Sequence, residues 1–218
     1  MEMERKEFIK KFEKAMFYKK KLLPYVFVKG RYLVGIDDTK TMLSVVELPE
    51  EIGETCVDVD AIDYLKKMTS DVIRIRKEGD AILFEGEDER VKVPEISEDL
   101  SLKFDIDESD IDVHIENFPK FFIYADIKPF KIPDDLVLET KDRNIIFTTD
   151  DSLIKYEKIF KGHEIDGETK EVRLKFDKER LKVIEKSSDD IIRIYVNEVS
   201  IKVKTSDVVY IILGESLE

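Results

Sequence analysis

The sequence predicts an α+β protein of two similar domains, each a duplicated strand–helix–three-strand unit. Three observations carry that reading. The order strand, helix, strand, strand, strand recurs along the chain. The wording recurs too, with SDVIRI at 70–75 answered by DDIIRI at 189–194. An acidic connector, PEISEDLSLKFDIDESDI, separates the two halves. The expected organisation is an N-terminal domain at 1–93, a connector at 94–111 and a C-terminal domain at 112–218.

The last unit is the plainest. Residues 172–177 alternate apolar and polar side chains, the period of a half-buried strand. KERLKVIEKSSD then reads as a short helix with Leu181 and Ile184 on one face, followed by the strands IIRIYVN, SIKVKTS and VVYIILG. The second unit repeats this order. Residues 55–60 are a strand, AIDYLKKMTS is a helix turning Ile62, Leu65 and Met68 inward, and VIRIRKEG, AILFEG and ERVKVPE are strands. Ile62 and Leu65 fall into register with Leu181 and Ile184 without a gap, which points to internal duplication.

The first and third units are read from these. RKEFIKKFEKAM forms a helix with Phe8, Ile9, Phe12 and Met16 on one stripe, and PYVFVKG, RYLVGIDD and TMLSVVELP follow as strands. In the third unit DVHIE is a predicted strand and PKFFIYADIKPF reads as a short helix, entered at Pro119 and stopped by Pro129 and Pro133, or, being short and aromatic-rich, as a strand instead. DLVLETK, NIIFTTD and LIKYEKIF complete it.

Composition narrows the function. The 218 residues are 42% apolar, and the longest apolar run, near 208–213, is far short of the ~20 residues that a membrane helix needs. MEMERKEF has no hydrophobic signal region, and the lone Cys56 cannot form an internal disulfide. The chain reads as soluble and cytoplasmic or nucleoid-associated. A composition 40% charged, without glutamine or tryptophan, reads as that of a thermophile's protein. The net charge of −13 opposes nucleic-acid binding unless cations are concentrated on one surface.

No catalytic constellation emerges. His114 and His163 are far apart, and His114, on a predicted strand, reads as structural. Cys56 has no nucleophile motif around it. DIDESDID at 105–112 lacks the central glycine and closing glutamate of a calcium loop. Gly30, Gly35 and Gly53 are isolated turn glycines, not a phosphate loop. The expectation is a protein that is not an enzyme and needs no metal or cofactor.

Two domains of paired units joined by an acidic linker resemble the archaeal and eukaryotic sliding clamp family, PCNA. GIDDTKTMLSVVELPEE, DVDAIDYLKKMTSDVIRI and the terminal VVYIILGESLE are the pieces most similar to it. The chain departs from the family in its length, in a degenerate third helix, and in Leu213-Gly214 where the family has Ala-Pro.

The resemblance implies a ring of three copies around duplex DNA, with the helices lining its interior. The DNA-facing candidates are Lys6, Lys10 and Lys14 on the first helix, Lys66 and Lys67 on the second, Lys120 and Lys128 on the third, and Lys182 and Lys186 on the fourth. Lysine suits the task, because it acts as a point charge on phosphate and reads no base. The resemblance also implies subunit joints in which Arg90, Val91, Lys92 and Val93 pair with a strand carrying Ile154, Tyr156 and Ile159. It implies a pocket for partner peptides built from Ile36, Thr41, Leu43, Leu100, Leu102, Phe104, Tyr210, Leu213 and Gly214. Expected partners are DNA, a DNA polymerase, a clamp loader and other clamp-binding peptides. The alternative is an acidic interaction protein, monomeric or part of a heterotrimer, that does not itself encircle DNA.

Overall fold

The computed structural model describes residues 1–19, 23–37, 39–96, 120–149, 156–167 and 170–217. The chain forms two compact units, Met1–Glu116 and Asn117–Glu218.

The first unit runs β1 (Glu2–Glu4), α1 (Arg5–Ala15), β2 (Tyr25–Lys29), β3 (Tyr32–Ile36), β4 (Met42–Glu47), β5 (Thr55–Asp58), α2 (Ala61–Lys67), β6 (Val72–Lys77), β7 (Ala81–Glu85) and β8 (Arg90–Pro94). Its strands pair antiparallel in two sets, β1-β6-β7-β8 and β5-β2-β3-β4. Each half of the duplication therefore lends its first strand to the other half's sheet. Met3 pairs with Ile73, and Val26 with Val57. Phe8, Ile9, Phe12 and Ala15 of α1 are buried, as are Ala61, Ile62 and Leu65 of α2, so each helix seals a sheet with one stripe. Phe8 meets Phe84 of β7 with ring centroids 5.4 Å apart.

The second unit runs β9 (Ile123–Ile127), β10 (Leu136–Lys141), β11 (Asn144–Thr149), β12 (Glu157–Lys161), β13 (His163–Glu164), β14 (Arg173–Phe176), α3 (Lys178–Glu185), β15 (Ile192–Val196), β16 (Ser200–Lys204), β17 (Val208–Leu213) and β18 (Glu215–Ser216). The exchange recurs, since β9 pairs with β15 as β1 does with β6, and β10 with β14 as β2 does with β5. β13 and β18 are short additions covering the outer edges of β9 and β14. Asp177 begins α3 in an extended conformation, and its carboxylate accepts from the Glu179 N–H at 2.6 Å, the N-cap geometry.

The third unit takes the strand alternative in place of the short helix read first. Residues expected as a helix form strand β9, in which Ile123, Ala125 and Ile127 are buried while Tyr124 and Asp126 are not. Burial of period two fits a strand, and the aromatic and β-branched side chains favour it. Only eight residues separate β9 from β10, and they are not helical. Two of them, Pro129 and Pro133, lack the N–H that a helix needs. DVHIE, Pro119 and His114 lie outside the described residues.

A close backbone approach fixes α1 to its sheet. The Ser44 hydroxyl donates to the Ala15 carbonyl at 2.6 Å and accepts from the Gly35 N–H at 3.2 Å. A β-carbon on Gly35 would sit 1.9 Å from the Ala15 carbonyl oxygen and 2.6 Å from the Ser44 hydroxyl. Gly35→Ala is therefore expected to cost about 3 kcal/mol, through overpacking and loss of the Ser44 bond. Gly79→Ala, at a positive φ with open space around it, is expected to cost about 1 kcal/mol from backbone strain alone. Urea unfolding of the two variants checks the ranking, and equal losses would contradict it.

Candidate functional site

Three kinds of surface follow from this fold. The first is the solvent face of the helices. Lys6, Lys10, Lys66, Lys67 and Lys186 are exposed, and Lys14 and Lys182 are half-buried. Lys66 reaches across from α2 to Glu13 of α1 at 2.7 Å, and Lys182 pairs with Glu179 at 2.6 Å. Lys67 lies over the exposed Tyr64 ring at 5.3 Å. Surface pairs of this kind contribute ~0–1 kcal/mol, so an incoming phosphate can displace the carboxylate. Among the described residues, Lys6, Lys10 and Lys186 have no carboxylate partner. Lys120 is not on a helix: it precedes β9 and pairs with Asp166 at 3.5 Å. Lys128 follows β9 and is exposed.

The second surface is a pair of strand edges. β8 ends the sheet of β1, β6 and β7, and β12 ends the sheet of β11, β10, β14 and β18. No described strand pairs with the outer edge of either. The other end of the first of these sheets, β1, is only three residues long and carries Glu2 and Glu4, a protected edge. Along β8, Arg90 and Lys92 are exposed, Val91 is half-buried and Val93 is buried. Along β12, Ile159 is 55% exposed. Tyr156 precedes β12 and is half-buried, with its N–H donating to the Thr149 hydroxyl at 3.1 Å. Ile154 lies outside the described residues.

The third kind is concave or half-buried surface with apolar side chains, and each unit has its own. In the first unit, half-buried Ile36 and Leu43 rest on a cluster of Tyr25, Phe27, Tyr32, Val34, Val45 and Cys56. Ile96, which the sequence alone does not single out, joins them, and its N–H donates to the Cys56 carbonyl at 3.1 Å. The buried Asp37 carboxylate shapes the β3–β4 turn. It accepts from the Thr41 and Met42 N–H groups, each at 2.7 Å, and from the Thr41 hydroxyl at 2.8 Å. Burial works to raise the Asp37 carboxyl, but hydrogen bonds from Thr39, Met42 and Thr41 outweigh it and hold it below its ordinary value. Leu100, Leu102 and Phe104 lie outside the described residues.

In the second unit, Phe121, Phe122, Ile165, Asn197, Glu198 and Val199 line a pocket of about 240 Å³, with Lys120, Asp166 and Lys170 beside them. Sequence reasoning misses it, because it places Phe121 and Phe122 in a helix. Tyr210 is buried, and Leu213 and Gly214 are half-buried. The Gly214 N–H donates to the Val199 carbonyl at 2.9 Å, tying the C-terminal segment to the pocket wall. A β-carbon there would lie 2.8 Å from the Phe176 ring and 3.0 Å from the Leu174 β-carbon. Proline could neither donate that bond nor fit, which accounts for glycine where the resembled family has Ala-Pro.

Among the described residues, no group of three or more His, Cys, Asp and Glu side chains is placed to hold a metal ion. Burial, reinforced by the Glu95 and Asp58 carboxylates, pushes the Cys56 thiol up to about 12, so it is protonated and unreactive at neutral pH. His163 stacks on Tyr124 with ring centroids 5.2 Å apart. No described helix is long and apolar enough to cross a membrane.

No family model and no curated protein matches the chain. Solved structures do. The DNA polymerase III β subunit of Thermotoga maritima is 14% identical at a TM-score of 0.70, covering 100% of this chain and 64% of that one. A DNA polymerase sliding clamp from Pseudomonas aeruginosa is 12% identical at 0.70, covering 100% and 64%. A putative DNA polymerase III β subunit from Eubacterium rectale is 13% identical at 0.68, covering 99% and 65%. The chain spans less than two thirds of the length of these neighbours. Over essentially its whole length, it has the DNA clamp fold.

Proposed function

We propose that the chain is a subunit of a sliding clamp that encircles duplex DNA and tethers a polymerase, a clamp loader and other replication or repair proteins. On this reading it is a scaffold and not an enzyme. The observation that carries it is the coincidence of a clamp fold with two strand edges that no described strand pairs, β8 in one unit and β12 in the other. Such edges invite pairing with another chain, and a head-to-tail contact that uses both gives a ring when its rotation closes. Three copies of a two-unit chain give six units around the channel. The solved neighbours are bacterial β subunits, so the assignment to the PCNA type rests on the sequence resemblance.

In the ring, helix lysines face the phosphates. Contacts made by mobile ammonium groups are weak, salt-sensitive and blind to sequence, which is what sliding needs. The carboxylates of this acidic chain repel DNA elsewhere on the surface and favour threading over adhesion. Partner peptides dock through apolar anchors at the Ile36–Leu43 surface and in the Phe121–Val199 pocket.

Substitutions at the joint and at the docking surfaces separate these roles. Ile159→Asp, which removes an exposed apolar group from the joint, is expected to weaken each joint by about 2 kcal/mol, roughly 30-fold. Tyr156→Asp should act in the same direction. Light scattering at low micromolar concentration measures the effect, and an unchanged mass for both would place the joint elsewhere. For partner capture, Leu43→Ser and Val199→Asp are each expected to abolish binding of a polymerase C-terminal peptide in calorimetry while the assembled mass is kept. Full affinity in both variants would put the partner site on another surface.

A further inference from the structure

The duplication supplies an internal comparison. SDVIRI and DDIIRI set Arg74 in correspondence with Arg193, and the strands that follow set Glu85 in correspondence with Lys204. In the first unit Arg74 of β6 stands directly opposite Glu85 of β7. That face is laced with ion pairs: Arg74 meets Glu2 at 3.7 Å, and Arg76 meets Glu85 at 3.2 Å. In the second unit Arg193 of β15 stands directly opposite Lys204 of β16. Like charges at opposed positions destabilise a sheet. The carboxylate on the other side of Arg193, Asp126 of β9, already accepts from its guanidinium at 2.6 and 2.8 Å. Lys204 is exposed and has no carboxylate partner among the described residues.

The neighbouring row of the same face is aromatic. His163, Tyr124, Tyr195 and Lys202 are in register across β13, β9, β15 and β16. Where this row has Tyr195 and Lys202, the first unit has Arg76 and Leu83. His163 stacks on Tyr124 with centroids 5.2 Å apart, and Tyr124 lies 5.7 Å from Tyr195. Cations lie against the rings. The Arg193 guanidinium is 4.7 Å from the Tyr124 centroid, and the Lys202 ammonium is 4.3 Å from that of Tyr195. His163 is exposed and both tyrosines are half-buried, so the row reaches solvent. The residues alternating with it on β9 and β15 are buried, so this face points away from the core.

We infer that this sheet face of the second unit binds single-stranded nucleic acid, with Tyr124 and Tyr195 stacking on bases and Arg193 and Lys204 contacting phosphates. A bound phosphate relieves the repulsion between Arg193 and Lys204, which Glu85 avoids in the first unit. Rings beside cations on a sheet face match unpaired bases, whose flat surfaces are open, and not a duplex, whose bases are stacked on one another. A phosphate group without bases, as on a phosphopeptide, would use the cations and leave the rings idle. The inference goes beyond the clamp reading and does not depend on it, because it invokes neither the helices nor the open strand edges.

The test uses the full chain and a short fluorescein-labelled oligothymidylate, with binding followed by anisotropy. Lys204→Glu restores the opposite-charge pair of the first unit. It is expected to keep or raise the thermal midpoint and to weaken oligonucleotide binding about tenfold, for the loss of a charge-assisted phosphate contact. Tyr195→Ser is expected to lose about tenfold, for one stacked base, and Tyr195→Phe to keep wild-type affinity. Lys6→Ala with Lys10→Ala on α1 is expected to bind the oligothymidylate as wild type does. Unchanged affinity in either Lys204→Glu or Tyr195→Ser, or an equal loss in the α1 variant, would overturn the inference. So would a phosphoserine peptide that binds more tightly than the oligonucleotide and is lost in Lys204→Glu but not in Tyr195→Ser.

Discussion

Each unit of this protein is held together by an exchange of strands. β1 leaves its own half to pair with β6, and β5 leaves the other half to pair with β2. The second unit repeats the exchange with β9 on β15 and β10 on β14. Neither half can complete its sheet alone, so the halves fold as one body around a shared core. The exchange also fixes where the helices go. A helix that follows an exchanged strand must cross back over the sheets, and its apolar stripe seals the gap. α1, α2 and α3 all obey this, which turns their charged faces outward.

That arrangement separates two electrostatic tasks. The protein carries a net charge of −13, yet the outward helix faces carry lysines: Lys66 and Lys182 pair with the half-buried Glu13 and Glu179, and Lys6, Lys10 and Lys186 have no carboxylate partner among the described residues. The same sheets determine the edges. β13 covers β9, β18 covers β14 and the Ile96 N–H bonds to β5, whereas β8 and β12 keep their outer hydrogen-bonding groups free of any described strand. Among the described residues, edge protection is selective.

Much of this is legible in the sequence, because the second and fourth units keep one register. Leu65 and Ile184 take their expected inward places, and SDVIRI and DDIIRI both lead into the strand after the helix. The third unit misleads because Pro119 looks like a helix entry and the repeat calls for a helix there, whereas the alternating burial of Ile123, Ala125 and Ile127 is that of a strand. β1, β13 and β18 escape notice because strands of two or three residues carry no period; pairing alone defines them. The Phe121–Val199 pocket is hidden by the same misreading. The close approaches at Gly35 and Gly214 depend on neighbours distant in sequence, so the glycines look like ordinary turn residues or a departure from a familiar ending.

The central claim is that open edges on β8 and β12 join copies of this chain into a closed ring. Native mass spectrometry over a range of concentrations tests it most directly. The account predicts a species of three times the 25.6 kDa chain mass, with no larger ladder because the ring closes. A single chain mass that persists to high concentration, or an open-ended series of oligomers, would contradict it.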